Sequence, residues 1–182
     1  MVYTEKQMLQ AWREALGLNV SLTEATVERT DGIDLDARLR RAMRAWYLDA
    51  LDHGPLCHLV PEDVTAEVTE MLAAGPVTST MEIPEAWRRM VSVQLAGWAR
   101  PAVPVAAADA GLALERMASR YAAPGPAEPV AVVAGTSLIC CPAAPRAACV
   151  LAVVDPGPEL YRMSESLLGT IPTDLSLIDY VY

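Results

Sequence analysis

Two short runs of alternating polar and apolar residues, separated by a proline, constrain the fold of this 182-residue chain most strongly. The first run, residues 77–83, follows a turn signal at Gly75-Pro76 and alternates as a half-buried strand does. Pro84 ends this run and favours a short helical turn over Glu85–Arg89. The second run, Met90–Leu95, alternates again. Strand, turn and strand make a scaffold, and this scaffold contains no catalytic group.

Helical patterns precede this scaffold. Thr4 and Gln7 form a capping box in front of apolar residues at four-residue spacing. Ser21 and Glu24 offer a second capping box for a short helix, and Asp34 caps the strongest helical pattern. The apolar stripe of that helix consists of Leu35, Leu39, Met43, Trp46 and Ala50. We expect two or three antiparallel helices in this part of the chain.

Strand patterns dominate the middle of the chain. A strand is favoured over Asp63–Met71, with a helix as the alternative because the segment is rich in glutamate. Residues 129–141 predict a hairpin, and Ala147–Val154 predicts a third strand. Asp109 is placed to cap a short helix. A final helix is predicted over Pro158–Leu168 and ends at a glycine.

The fold class expected from these patterns is α+β. We predict an N-terminal helical bundle closed by a C-terminal helix, with a β-rich module, a sandwich or small barrel, in the middle. The predicted domains are residues 1–62 (helical), 63–156 (β-rich) and 157–182 (a returning helix and tail that pack on the helical region). The apolar run 129–154 raises a transmembrane alternative. Glycine and proline interrupt it before it reaches the ~20 residues that a spanning helix needs, so we expect no membrane span.

Composition excludes some classes of protein. Hydrophobic residues make up 53% of the chain and charged residues 20%, which argues against intrinsic disorder. The net charge of −9 disfavours a direct grip on nucleic-acid phosphates. Residues 76–154 carry five acidic and six basic side chains, whereas both ends are acidic. The acidic ends of one subunit could therefore attract the near-neutral middle of another. Acidic helix faces that are simply solvated are the simpler interpretation.

The cysteines and the start of the chain point to a reducing compartment. The four cysteines lack CxxC spacing, and Met1–Lys6 contains no apolar segment. We therefore expect no signal peptide and synthesis in the cytoplasm.

A metal site is the main alternative to a non-catalytic protein. His53, Cys57 and His58 are suitable ligand types. Gly54-Pro55 breaks the helix between them, however, so helical i, i+4 spacing is not available to them. A histidine is also favourable at the C-terminal end of a helix, where it interacts with the helix dipole. We predict no metal ligand here.

Motifs for nucleophilic or phosphate chemistry are missing from the sequence. Gly135-Thr136-Ser137 lacks the GxSxG pattern, and there is no glycine-rich phosphate loop. Cys140-Cys141 lies in an apolar hairpin, where a thiol behaves as a small hydrophobic group. Glu82 and Glu85 form a carboxylate pair that is more often solvated. We therefore predict no catalytic residue, no cofactor and no enzymatic activity.

One group of aromatic and basic side chains is a candidate for binding. Tryptophans and arginines near the scaffold could stack on a base or a sugar. Packing of the tryptophans in the core, with the arginines at a subunit contact, is the simpler interpretation. The candidate subunit or partner contacts are Trp87, Arg88, Arg89, Trp98 and Arg100.

Several of these segments, read together, resemble a known family. They are Tyr47–Leu51, Met81–Pro84, Arg89–Leu95, Gly97–Pro101, Ser119–Tyr121, Pro129–Ala131 and Pro158–Tyr161. Their order resembles the head-to-tail adaptor proteins of short-tailed phages, also called tail tubular proteins, in the versions found in phages and prophages of Bacteroides-type gut bacteria. The likeness runs loosely from Leu39 to Tyr161, and the block Ile83–Pro101 is its most specific part.

The resemblance implies a non-enzymatic virion protein. Adaptors of this family form a ring, usually a dodecamer, that docks beneath the portal and continues the DNA channel towards the tail. The implied partners are its own copies, the portal and tail proteins, and DNA that passes without sequence-specific binding. The chain ends about twenty residues after Tyr161, so a long portal-binding arm is in doubt. The alternative function is a non-enzymatic interaction module of unknown ligand.

Overall fold

The computed structural model describes residues 1–18, 35–68, 70–75 and 77–173, with only the backbone of Leu35. The described chain forms two compact units. Unit 1 consists of Met1–Val60 together with the segment that starts at Asp155, and unit 2 consists of Pro61–Val154. The predicted domain boundaries, by comparison, follow residues 62 and 156.

The described elements are helices, short 3₁₀ turns and strands. The helices are α1 (Glu5–Ala15), α2 (Leu35–His53), α3 (Gly111–Ala118) and α4 (Glu165–Leu168), and the 3₁₀ turns are Leu56–His58, Thr65–Glu67 and Ala107–Asp109. The strands are β1 (Val2–Thr4), β2 (Glu62–Asp63), β3 (Leu72–Ala73), β4 (Ser79–Glu82), β5 (Trp87–Leu95), β6 (Val105–Ala106), β7 (Val130–Ala134), β8 (Ser137–Cys141), β9 (Ala147–Val154) and β10 (Leu160–Arg162).

Helix α1 begins at the predicted capping box. The Gln7 amide N–H donates to Thr4 Oγ1, and the Thr4 amide N–H donates to the Gln7 side chain at 2.8 Å. The buried face of the helix includes Met8 and Trp12. Trp12 packs edge-to-face against Trp46 of α2, with ring centroids 5.8 Å apart. The apolar periodicity of α1 therefore leads directly to its contact with α2.

The predicted fold class is wrong. Among the described residues there is no N-terminal helical bundle that a C-terminal helix closes. The described part of the returning segment instead forms β10, which pairs antiparallel with β1, and has a helix only over Glu165–Leu168. Its exposure alternates as in a strand, since Leu160 is exposed whereas Tyr161 and Met163, on either side of Arg162, are fully buried. The second capping box at Ser21, the Asp34 cap and the tail beyond residue 173 lie outside the described residues.

One arginine joins α2 to this returning segment within unit 1. The guanidinium of Arg44 pairs with the Asp155 carboxylate and donates to the Gly157 carbonyl at 3.1 Å. It also lies over the rings of Tyr47 and Tyr161, 5.7 and 6.0 Å from their centroids. Tyr47 adds a further link, because its hydroxyl donates to the Arg162 carbonyl and accepts from the Arg162 amide. Burial raises the pKa of Tyr47 to about 12, so the hydroxyl stays protonated and can donate.

Unit 2 is built from two sheets. One has three antiparallel strands in the order β2-β9-β5. The other has five strands in the order β3-β4-β8-β7-β6, antiparallel except for the β6–β7 pair. Side chains of both sheets meet in one apolar core, which includes Met81, Trp87, Val93, Leu95, Leu138, Val150 and Ala152.

Most strand predictions in this unit are confirmed. The alternating runs form β4 and β5, the hairpin forms β7 and β8 around Gly135, and β9 lies where it was predicted. Gly135 has a φ of 62°, which suits a glycine in the hairpin turn. The helical turn predicted over Glu85–Arg89 is wrong, because β5 already begins at Trp87 and a tight turn precedes it.

Two local predictions are wrong for reasons of hydrogen bonding. The strand predicted over Asp63–Met71 stops after Asp63. The side chain of Asp63 accepts from the Thr65 amide at 3.0 Å, and this turn starts a 3₁₀ segment. Asp109 does not cap α3, because it lies within the preceding 3₁₀ turn and the N-cap residue is Ala110.

The Arg44–Asp155 pair predicts a measurable stability difference. The two side chains are only 23% and 17% exposed, so Asp155→Ala leaves a guanidinium with little access to water and should lower the free energy of unfolding by about 2 kcal/mol. The Asp49–His53 pair on α2 is 76% and 77% exposed, and Asp49→Ala should change stability by less than about 0.5 kcal/mol. Urea denaturation of the full chain measures both. Equal effects of the two substitutions would contradict this account.

Candidate functional site

The two predicted tryptophan contacts lie inside unit 2. Trp87 and Trp98 are 4% and 5% exposed. The indole N–H of Trp87 donates to the Glu67 carboxylate at 3.1 Å, and that of Trp98 donates to the Pro142 carbonyl at 3.0 Å. Both rings therefore pack the core and satisfy their polar atoms there, as buried tryptophans usually do.

The three predicted arginine contacts are nearer to water. Arg88 and Arg100 are exposed, and Arg89 is half-buried on β5. Arg100 lies 3.9 Å from Glu128, and Arg116 also reaches that carboxylate, at 3.4 Å. A role of these arginines in subunit contacts stays a prediction.

Five exposed apolar side chains lie on the edge strand β6 of the five-stranded sheet or in the segments next to it along the chain. We call this group the 103–121 surface, and its members are Val103, Val105, Leu112, Leu114 and Tyr121. Leu112 is 73% exposed and Tyr121 is 96% exposed. An isolated exposed leucine is ordinary, but five large apolar side chains within nineteen residues form a candidate interaction surface.

The crossover from β6 to β7 produces this surface. Parallel strands need a long connection, and here it runs through α3, which contacts β7. The helix is only eight residues long, and all eight are described and remain at least partly exposed. Because α3 cannot bury both of its sides against the sheet edge, Leu112 and Leu114 stay in water.

The turn after α3 displays a basic and an aromatic side chain together. Ser119 Oγ accepts from the Tyr121 amide at 3.3 Å and from the Ala122 amide at 3.0 Å. These bonds are typical of a serine-stabilised turn. Arg120 and Tyr121 are both exposed on it, and we call this pair the Arg120–Tyr121 turn.

A second feature of unit 2 is a cleft of about 710 Å³, which we call the acidic cleft. It lies where β4 leads into β5 and beside the turn between β7 and β8. Two backbone hydrogen bonds lie beside it. The Ile83 amide donates to the Thr136 carbonyl at 2.7 Å, and the Trp87 amide donates to the Pro84 carbonyl at 2.9 Å. The lining consists of Glu67, Val68, Glu70, Met81, Glu82, Ile83, Pro84, Glu85, Trp87 and Thr136.

The cleft combines an apolar floor with negative charge. Four of its ten described lining residues are glutamates, and none of those ten is basic. All four glutamates are exposed, and the carboxylate of Glu67 also accepts from the Trp87 indole N–H. Such a lining suits a partner that brings a cationic group on an apolar stem.

The sequence pattern indicates only two of the four glutamates of the acidic cleft. Glu82 and Glu85 are predicted as a carboxylate pair, whereas Glu67 and Glu70 fall in the strand predicted over Asp63–Met71. The turn at Asp63 carries them to the cleft instead, through the 3₁₀ segment Thr65–Glu67. The signal available in the sequence was the Asp-x-Thr spacing that starts this turn.

The histidines and Cys57 are not brought together as a metal site. His53 Nδ1 lies 2.9 Å from the Asp49 carboxylate, whereas His58 Nδ1 lies 2.7 Å from Ser166 Oγ. Among the described residues, no group of three histidine, cysteine, aspartate or glutamate side chains is placed to hold a metal ion. The contact of His58 with Ser166 instead ties α4 to the 3₁₀ turn of unit 1.

The paired cysteines lie in the core. Burial raises the pKa of Cys140 from its ordinary value of 9.0 to about 12, and burial also raises the pKa of Cys141. Thiols with raised pKa values form little thiolate, which is the nucleophilic form. Cys57, by contrast, is exposed.

Comparison with known proteins does not assign the chain to a family. No family model matches the chain, and no curated protein sequence matches it. The longest described helix, α2, has 19 residues, and neither it nor any other described helix is apolar enough to cross a membrane.

The cysteine environments predict selective labelling. Iodoacetamide at pH 8 should modify Cys57 in the folded chain and leave Cys140 and Cys141 unmodified, because the last two are buried and protonated. Mass spectrometry of tryptic peptides gives the sites, and the same reaction in concentrated urea is the control in which all these cysteines react. Rapid modification of Cys140 in the folded chain would disprove its core position.

Proposed function

We propose that this chain is a non-enzymatic structural protein of a phage virion, a head-to-tail adaptor whose copies form a ring below the portal and continue the DNA channel. The 103–121 surface carries this proposal, because a lone subunit exposes these apolar side chains to water. The proposed partners are its own copies, the portal and the tail proteins. The proposed location is the virion, after synthesis in the cytoplasm of the bacterial host.

Burial of the 103–121 surface favours association. Each Å² of apolar surface removed from water contributes about 25 cal/mol. Leu112 and Tyr121 still have most of their side-chain surface available for this contribution. Tyrosine is also enriched among the residues that dominate the free energy of protein–protein binding. A second copy or a neighbouring virion protein would bury the 103–121 surface.

The charge of the chain supports a channel that DNA passes without being held. Binding to phosphates requires lysine and arginine side chains that release counterions, whereas this chain has a net charge of −9. A lumen of the same sign as the phosphates repels them. Sequence-specific binding of DNA is therefore not part of the proposed function.

The resemblance to adaptor proteins supplies the virion context. Its most specific block, Ile83–Pro101, covers the end of the cleft wall and the whole of β5. The buried residues of this block, such as Val93 and Leu95, belong to the core of unit 2. The block therefore contributes to the scaffold of unit 2.

Self-association is the first test of this proposal. Multi-angle light scattering of the purified full chain at increasing concentration should give the mass of a multi-subunit assembly. Leu112→Glu should shift it towards the monomer, because burying an unpaired carboxylate at the contact is unfavourable. Leu56→Glu is the matched control, since Leu56 is also exposed but lies in unit 1, and it should leave the mass unchanged.

Location in the virion is the second test. Phage particles purified from the encoding bacterium should contain peptides of this chain in several copies per particle, as measured by quantitative mass spectrometry. A chain that is monomeric at every concentration and is missing from purified particles would overturn the proposed function.

A further inference from the structure

We propose that the acidic cleft of one copy receives the Arg120–Tyr121 turn of the next copy, an inference that depends on the proposed self-assembly. The two features lie at different places on unit 2 and share no residue. Their chemistries are complementary, since one is acidic with an apolar floor and the other presents a guanidinium and an aromatic ring.

The cleft is suited to these two side chains. Its volume of about 710 Å³ lies within the roughly 300–1,000 Å³ of ligand-binding pockets. Met81 and Ile83 supply apolar contact for a ring or for the methylene stem of an arginine. Glu82 and Glu85 are exposed at the cleft and can accept from a guanidinium, which offers several donors in one plane.

The turn is suited to enter such a cleft. Tyr121 is 96% exposed, so little surface has to be uncovered before it binds. The two hydrogen bonds to Ser119 hold the backbone of the turn, which lowers the entropy lost on association. Arg120 is adjacent to Tyr121, so both can reach one site. An acidic patch that meets a basic one also selects the correct neighbour and disfavours contact of like surfaces.

The charges of the cleft and the turn favour a second copy as the occupant. Arg88 and Arg89 follow Trp87 directly on β5 but are not among the described lining residues of the cleft. Those ten lining residues supply no cation, whereas the exposed Arg120 of another copy brings one next to an aromatic side chain. A cleft on one copy and a turn on the next form a heterologous contact, which continues from subunit to subunit and gives a ring when the rotation between subunits closes.

Complementary variants test this contact. The cleft variant is Glu82→Gln with Glu85→Gln, and the turn variant is Arg120→Glu with Tyr121→Ser. Each alone should weaken self-association by about tenfold or more, since each removes the charge pairing and the turn variant also removes the aromatic contact. A mixture of the two variants retains one intact cleft and one intact turn. In sedimentation velocity it should give a 1:1 dimer and no larger species, whereas the wild type forms species larger than a dimer.

Matched controls separate the contact from a general charge effect. Glu159→Gln with Glu165→Gln changes the same number of charges in unit 1, and Arg146→Glu changes one exposed arginine in unit 2. Both should associate as the wild type does. Circular dichroism and thermal unfolding verify that each variant is folded, and the exposed positions chosen here make loss of the fold unexpected.

The outcomes are distinguishable. If the wild type assembles but the cleft and turn variants do so equally well, this inference is overturned and the proposed function stands. If the wild type remains a monomer at every concentration, this inference is overturned, and the proposed function is overturned as well only if the chain is also missing from purified particles. If each variant is impaired but their mixture forms no dimer, the cleft and the turn do not bind each other, and the inference is again overturned.

Discussion

The antiparallel pairing of β5 with β9 is the constraint on which unit 2 depends. It joins residues about sixty positions apart, from Trp87 opposite Val154 to Leu95 opposite Ala147. The chain between these strands, residues 96–146, must therefore leave the three-stranded sheet and return to it. On that excursion it forms the helix α3 and the strands β6, β7 and β8, which belong to the other sheet. The 103–121 surface lies on this path, and so does the β7–β8 turn that borders the acidic cleft.

The first consequence is that the β6 edge of the five-stranded sheet is incompletely covered. Since β6 runs parallel to β7, the chain has to cross over between them, and the eight residues of α3 are the described helix that makes the crossing. A helix of two turns hides little of the sheet edge and exposes its own leucines. The second consequence is the acidic cleft, which forms where β4 turns into β5 beside the β7–β8 turn. One topology thus produces an apolar edge and a charged recess on a single unit.

The local sequence pattern predicted an element correctly where residues within the segment determine its structure. The alternation of residues 77–83 and 90–95 identified β4 and β5, and the Thr4–Gln7 capping box located the start of α1. The pattern gave a wrong prediction where pairing with a distant segment determines the structure. Residues 160–162 form a strand because β1 offers its hydrogen-bonding edge, and no feature of the segment itself announces that partner. The fold-class prediction of a closing C-terminal helix was wrong for this reason.

The candidate site was less predictable than the fold. Trp87 and Trp98 were candidate contacts, with packing in the core as the simpler interpretation, and both rings are buried. Their indole nitrogens donate to the Glu67 carboxylate and the Pro142 carbonyl, and a single sequence does not reveal these hydrogen-bond acceptors. The grouping of Glu67 and Glu70 with Glu82 and Glu85 likewise depends on the turn at Asp63. The exposure of Tyr121 depends on where the crossover leaves the sheet.

Electron microscopy of the purified full chain in negative stain tests the central claim most directly, namely that copies of this chain are built to contact one another around a channel. The account predicts closed rings of uniform diameter with a stain-filled central opening. A field of isolated particles of single-subunit size, at concentrations where the chain is folded, would contradict it.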